Sequence, residues 1–148
     1  MKHIIWVLLL IGLSASAPLV PTEKVLANKI TFKIKNAGIT VDGSFSDLDA
    51  DISFDPKDLD KSSIKASVGV ASIKTGIEMR DKDLMARKYF YVEKFPQIKM
   101  VSKKITSKGK DGFIGTFDLK IRDVTKKVEV PFTFTRKEDT GTFSATFT

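Results

Sequence analysis

Apolar and polar residues alternate with period two over most of the chain. Ile30, Phe32 and Ile34 form one such set, Leu48, Ala50, Ile52 and Phe54 a second, and Ile64, Ala66, Val68 and Val70 a third. Phe113, Gly115, Phe117, Leu119 and Ile121 follow, then Val128, Val130, Phe132 and Phe134, and last Phe143, Ala145 and Phe147. Alternate residues of a strand point to the same face, so each set predicts a strand with one apolar face. Turn signals separate them at Asn36-Ala37-Gly38, Asp42-Gly43, Asp55-Pro56, Asp111-Gly112 and Asp139-Thr140-Gly141. With no repeat and no second domain, this spacing predicts an all-β sandwich or antiparallel barrel of about eight strands. The Phe-rich inner faces favour a lipocalin-like barrel, which can close around an apolar ligand or fill its interior with side chains.

The segment from Glu78 to Phe95 breaks the alternation. Asp81 suits a helix N-cap and Asp83 a first turn, while Met85, Tyr89 and Val92 fall at i, i+4 and i+7. A short helical insertion is therefore expected over about residues 80–95, as one helix or two, ended by Pro96. Such an insertion must run across the end or the outside of a barrel.

The N-terminus starts with Lys2, continues through an apolar run from Ile4 to Leu13 and ends in the small residues Ala15-Ser16-Ala17. This pattern predicts a cleaved signal peptide over residues 1–17, a single domain over 18–148, and a periplasmic or secreted protein. The run is shorter than the roughly 20 residues a bilayer span requires. Loss of residues 1–17 removes Lys2 and His3 and takes the net charge from +7 to +6.

The remainder contains neither His nor Cys. Imidazole or thiolate metal sites, Ser-His-Asp catalysis and Cys-His catalysis are thereby excluded, and no disulfide can form. Eleven Phe against one Trp and two Tyr point to an interior poor in hydrogen-bonding rings. The basic balance fits solvated turns, above all around Ser107–Gly112 with Lys99, Lys103, Lys104, Lys108 and Lys110 nearby, and leaves contact with an anionic membrane surface open. An exported protein has no call for nucleic acid.

Ser62-Ser63-Ile64-Lys65 fits S-x-x-K and Lys74-Thr75-Gly76 fits K-T-G, both signatures of penicillin-binding serine enzymes. Their closeness in sequence argues against that chemistry, and Ser62 enters a strand, not a helix. Asp47, Asp49 and Asp51 read as the solvent face of a strand, and neither they nor Asp58 and Asp60 carry the Gly and distal Glu of a calcium loop. No catalytic and no metal-binding residue is expected.

Several motifs in order carry a family resemblance. Ile73-Lys74-Thr75, Arg80-Asp81 with Leu84, Tyr89-Phe90, and Phe95-Pro96 with Ile98 resemble the central signature of the YceI-like family. Residues 36–45 with Ile52-Ser53-Phe54-Asp55-Pro56 resemble its opening elements, and Leu119–Lys126 resembles its later turn. Three departures stand out. Tyr91 takes the place of a usual Asp, which leaves a second short helix without its N-cap. Lys120 and Asp123 replace a usual Thr and Gly, so a left-handed turn at Asp123 is expected to be strained. The family's usual final turn and strand are not seen after Phe147, so either the sequence is truncated or it ends early and leaves an open barrel edge, which would admit pairing with a second copy.

The resemblance implies an exported, non-catalytic carrier of a polyprenyl or quinone-type isoprenoid, or another long-chain lipid, with no other cofactor; the alternative is a small exported interaction or stress protein with a packed barrel and no ligand. Phe32, Phe54, Val68, Phe117, Leu119 and Phe132 are the expected cavity lining. Arg80, Asp81, Leu84, Met85 and Phe90 are expected at a lid or mouth.

Overall fold

A computed structural model describes residues 23–24 and 30–148; the expected signal peptide lies outside them. The strands are β1 (Glu23–Lys24), β2 (Ile30–Asn36), β3 (Ile39–Phe45), β4 (Leu48–Ser53), β5 (Ser63–Gly69), β6 (Gln97–Ser107), β7 (Gly112–Ile121), β8 (Val124–Lys137) and β9 (Thr140–Ala145). One helix, α1 (Glu78–Met85), precedes β6. An antiparallel sheet runs β1-β4-β5-β6-β7-β8-β9 and curls into a half-barrel, while β2 and β3 form a separate hairpin. Among the described strands, β1, β2, β3 and β9 each form a ladder on one side only.

Each apolar alternation seen in the sequence falls mainly on a strand, with Phe54, Val70 and Phe147 lying just past the strand ends, but two elements depart from expectation. Asp42-Gly43 is no turn; both residues lie inside β3. Gly43 stands opposite Phe32, and a Cβ there would sit 2.2 Å from Cζ of that ring, so the glycine makes room for an aromatic face. Strand β6 was hidden because its period breaks where Lys103 bulges out of the ladder between Ser102 and Lys104. Ser102 repairs the local loss, its Oγ accepting the Ile64 N–H at 2.9 Å.

The tight hairpins follow one rule. Each two-residue turn places its first residue in the left-handed region: Ala37 (φ 49°) between β2 and β3, Arg122 (φ 57°) between β7 and β8, and Glu138 (φ 53°) between β8 and β9. Such turns match the twist of the strands they join. The left-handed residue expected at Asp123 is therefore Arg122, and the β8–β9 turn precedes Gly141, which pairs with Arg136 inside the ladder.

Two clusters fill the interior. The first holds Phe54, Ile64, Ile105, Phe113, Phe117, Val130, Phe132 and Phe134, with Phe143 against it. Phe54 sits among four rings, with centroids 4.9 Å from Phe134, 5.1 Å from Phe113, 5.4 Å from Phe143 and 5.8 Å from Phe132, mostly edge to face. The second holds Phe45, Val68 and Ile73, flanked by Phe32, Leu84, Met85, Phe90 and Ile98. The first cluster is a solid core; the second borders empty space.

Candidate functional site

The hairpin β2–β3 is placed over the sheet by few but specific contacts. Ser44 and Lys74 exchange both backbone hydrogen bonds at 2.9 Å, an isolated bridge between β3 and the segment before α1. At the corner after β3, the Ser72 hydroxyl accepts the N–H groups of Ser46 and Asp47 and donates to the Gly69 carbonyl at 2.7 Å. Held there, the hairpin faces the inner side of β5, β6 and β7 across a gap.

That gap is a half-open cavity of about 490 Å³. Its hairpin wall carries Ile30, Phe32, Ile34 and Phe45; its sheet wall carries Ala66, Val68, Ile98, Met100, Leu119 and Ile121. Leu84, Tyr89 and Phe90 close one side and Phe147 another, and the wall is almost wholly carbon. Small-ligand pockets run to about 300–1,000 Å³, so the space is large enough for a guest and too apolar to hold ordered water well. A second concavity of about 390 Å³ lies behind Phe32, Ile34, Leu84 and Tyr89, where Met79, Arg80 and Asp83 border it.

The residues expected at the site divide between these regions. Phe32, Val68 and Leu119 stand on the cavity wall. Phe54, Phe117 and Phe132 belong instead to the packed cluster at the far end of the sheet. Alternation places all six on the inner face, but it carries no information about position along the barrel axis. Ala66, Ile98 and Met100 were missed as wall residues; the apolar spacing of Ile98 and Met100, preceding the bulge, was the available signal.

Of the residues expected at a lid or mouth, Leu84 and Phe90 reach the cavity, while Met85 packs beside Phe45 and Val68 without lining it. Asp81 is buried, at 5% exposure, and is not the N-cap; that position is Ile77, which offers no side-chain bond. In the fourth helical position, Asp81 reaches back to Thr75, accepting its N–H at 2.9 Å and its hydroxyl at 2.6 Å. Arg80 completes the knot: Nε donates to Thr75 Oγ1 at 2.7 Å and a terminal nitrogen to the Thr75 carbonyl at 2.6 Å. The I-x-T and R-D motifs thus tie α1 to the strand-like segment before it.

The helix ends early. After Met85 the chain runs in turns, and Tyr91 adopts a left-handed conformation (φ 51°) whose carbonyl accepts the N–H groups of Lys94 and Phe95. No second helix forms there, in keeping with the missing cap. Arg122, at the β7–β8 tip, fastens this region: it donates to the Tyr89 carbonyl at 2.7 Å and to that of Arg87 at 3.4 Å, and its guanidinium lies over the Phe95 ring.

The other polar candidates serve the scaffold. Ser62 accepts the Asp55 N–H at 2.9 Å and donates to the Asp58 carbonyl at 3.0 Å, closing the loop before β5. Asp58 pairs with Lys61 at 2.8 Å, and that hydrogen bond holds its carboxyl below the ordinary value. No cluster of His, Cys, Asp and Glu suited to a metal ion occurs among the described residues.

Comparison with known proteins agrees with this architecture. The model of the YceI-like domain matches residues 25–148. A UPF0312 protein of Photorhabdus laumondii is 30% identical over 131 residues, covering 80% of this chain and 68% of that protein. A UPF0312 protein of Pseudomonas syringae pv. tomato is 33% identical over 106 residues, 71% of this chain and 55% of its own length. The chain thus spans little more than half of several relatives it matches. Among solved structures, Burkholderia cenocepacia BcnA superimposes with a TM-score of 0.71 at 26% identity, over 79% of this chain and 72% of that one. The Campylobacter jejuni YceI protein gives 0.60 at 28% identity, over 70% and 61%.

Proposed function

Because the chain belongs to the YceI-like family, we propose that it is a non-catalytic carrier whose cavity holds one long apolar chain of isoprenoid type, a polyprenyl or quinone tail. The observation that carries this reading is the cavity itself: about 490 Å³ of carbon-walled space beside the aromatic cluster around Phe54. Each methylene buried there contributes about 0.8 kcal/mol without any directional contact, so a flexible chain is a suitable guest.

The polar side chains near the site support binding over chemistry. Thr75, Arg80 and Asp81 spend their hydrogen-bonding capacity on one another, and Ser62 spends its own on the backbone of its loop. The basic, apolar, small-residue pattern of residues 1–17 supports an exported carrier.

Mass spectrometry of lipid extracted from the protein purified from its own cells tests the reading. One isoprenoid species at near-equal molarity is the expected result. A lipid-free protein that also fails to take up a fluorescent isoprenoid in vitro would overturn it.

A further inference from the structure

The mouth of the cavity has a composition that the guest alone does not explain. Tyr89, Ile121 and Phe147 line the cavity yet are 48%, 38% and 46% exposed, and Val124, opposite Ile121 across the β7–β8 turn, is 53% exposed. With Ile30 and Ile34, which also line the cavity at 39% and 54% exposure, six apolar side chains therefore stand partly in solvent around it. Scattered apolar residues are ordinary on a surface, but several exposed ones bordering a single cavity point to a contact.

Positive charge gathers at the same end of the sheet. Residues 86–99 and 118–127 carry eight Lys or Arg against three Asp or Glu, so these two stretches hold five of the seven net charges of the chain. They are neighbours in space: Lys99 pairs with Lys120 across the β6–β7 ladder, and Arg122 bonds to the Arg87 and Tyr89 carbonyls. Among the described residues, Lys99, Lys120, Lys126 and Lys127 make no ion pair. Placing two lysines side by side costs stability that a purely structural sheet would avoid.

Resting on the carrier reading, we infer that this rim is a docking surface for an anionic lipid bilayer. Tyr89, Ile121, Val124 and Phe147 enter the interface, and the surrounding lysines meet acidic headgroups. An apolar guest then passes between bilayer and cavity without crossing water. A second copy of the chain is a poorer occupant, because it would bring two basic rims face to face. The bilayer satisfies both halves of the surface, since an apolar patch and juxtaposed lysines add their affinities for an anionic membrane.

The absence of Cys permits a direct test on the full chain. An environment-sensitive fluorophore on Val124→Cys reads the rim, with Tyr89→Cys as a second reporter. The same label on Lys108→Cys reads the far end of β6, about 30 Å away along the strands. On phosphatidylglycerol-containing vesicles the rim reporters should shift to an apolar environment while the Lys108 position stays in water. Pure phosphatidylcholine vesicles should give little shift. The double variant Lys120→Glu/Lys126→Glu should weaken the response about tenfold or more.

Rim reporters that remain in water overturn the inference, even if the chain sediments with vesicles through another segment. A rim shift that grows with protein concentration and needs no vesicles overturns it in favour of self-association. Uptake of a fluorescent isoprenoid without vesicles is measured in parallel. Uptake without docking rejects the membrane surface alone, and docking without uptake rejects the carrier reading alone.

Discussion

The Asp81 carboxylate accepts two hydrogen bonds from Thr75, one from its backbone N–H and one from its hydroxyl, six residues back along the chain. A buried acceptor shared this way is costly to remove. Asp81→Ala leaves the Thr75 N–H unsatisfied and should cost about 2–3 kcal/mol, seen as a fall of roughly 5–10 °C in Tm. Thr75→Ser keeps the hydroxyl and should cost less. An unchanged Tm for Asp81→Ala would contradict a structural role for the knot.

Gly43 and Phe32 make a second testable pair. A methyl at residue 43 would meet the Phe32 ring at 2.2 Å. Gly43→Ala should destabilise by about 1–3 kcal/mol in urea unfolding. Adding Phe32→Leu should recover part of that loss, since the smaller side chain vacates the space. Additive losses in the double variant would show that the contact is not the cause.

The two interior clusters should respond differently to substitution. Phe54→Ala empties a site ringed by four aromatics and should cost about 3–5 kcal/mol. Ala66→Phe projects into existing space, so the urea midpoint should hold while isoprenoid uptake falls by about tenfold or more. If Ala66→Phe unfolds the chain, the sheet wall has less room than the cavity volume indicates.

Arg122 combines a left-handed backbone with an anchoring side chain. Arg122→Gly relieves about 1 kcal/mol of backbone cost but removes the donor to the Tyr89 carbonyl. Global stability should change by less than about 1 kcal/mol, whereas amide exchange over residues 86–95 should quicken by about tenfold. Unaltered exchange there would mean that the ring contacts of Phe95 and Tyr91 suffice.

The strand pattern was legible because burial of one face imposes period two wherever a ladder is regular. It failed at β6, where a bulge shifts the phase, and at Gly43, where a residue type common in turns serves a packing need inside a strand. The family motifs identified the central segment, yet the role of Asp81 was misread as a cap. A carboxylate early in a helix satisfies that expectation from sequence; only geometry reveals that it faces backward to Thr75. The cavity wall was half legible for a related reason: Phe117 and Leu119 are consecutive inner residues of one strand, and the boundary between solid core and open space falls between them.

That boundary has a mechanical consequence. Strand β7 is continuous across it, so the sheet side of the cavity is stiffened by a clamp of aromatic rings only two residues away. The opposite side, the β2–β3 hairpin, meets the rest of the fold through the Ser44–Lys74 bridge, the corner at Ser72 and the packing of Phe45 against Val68, Ile73 and Phe90. Compliance is therefore expected to be lopsided, the hairpin yielding outward more readily than the sheet changes its curvature.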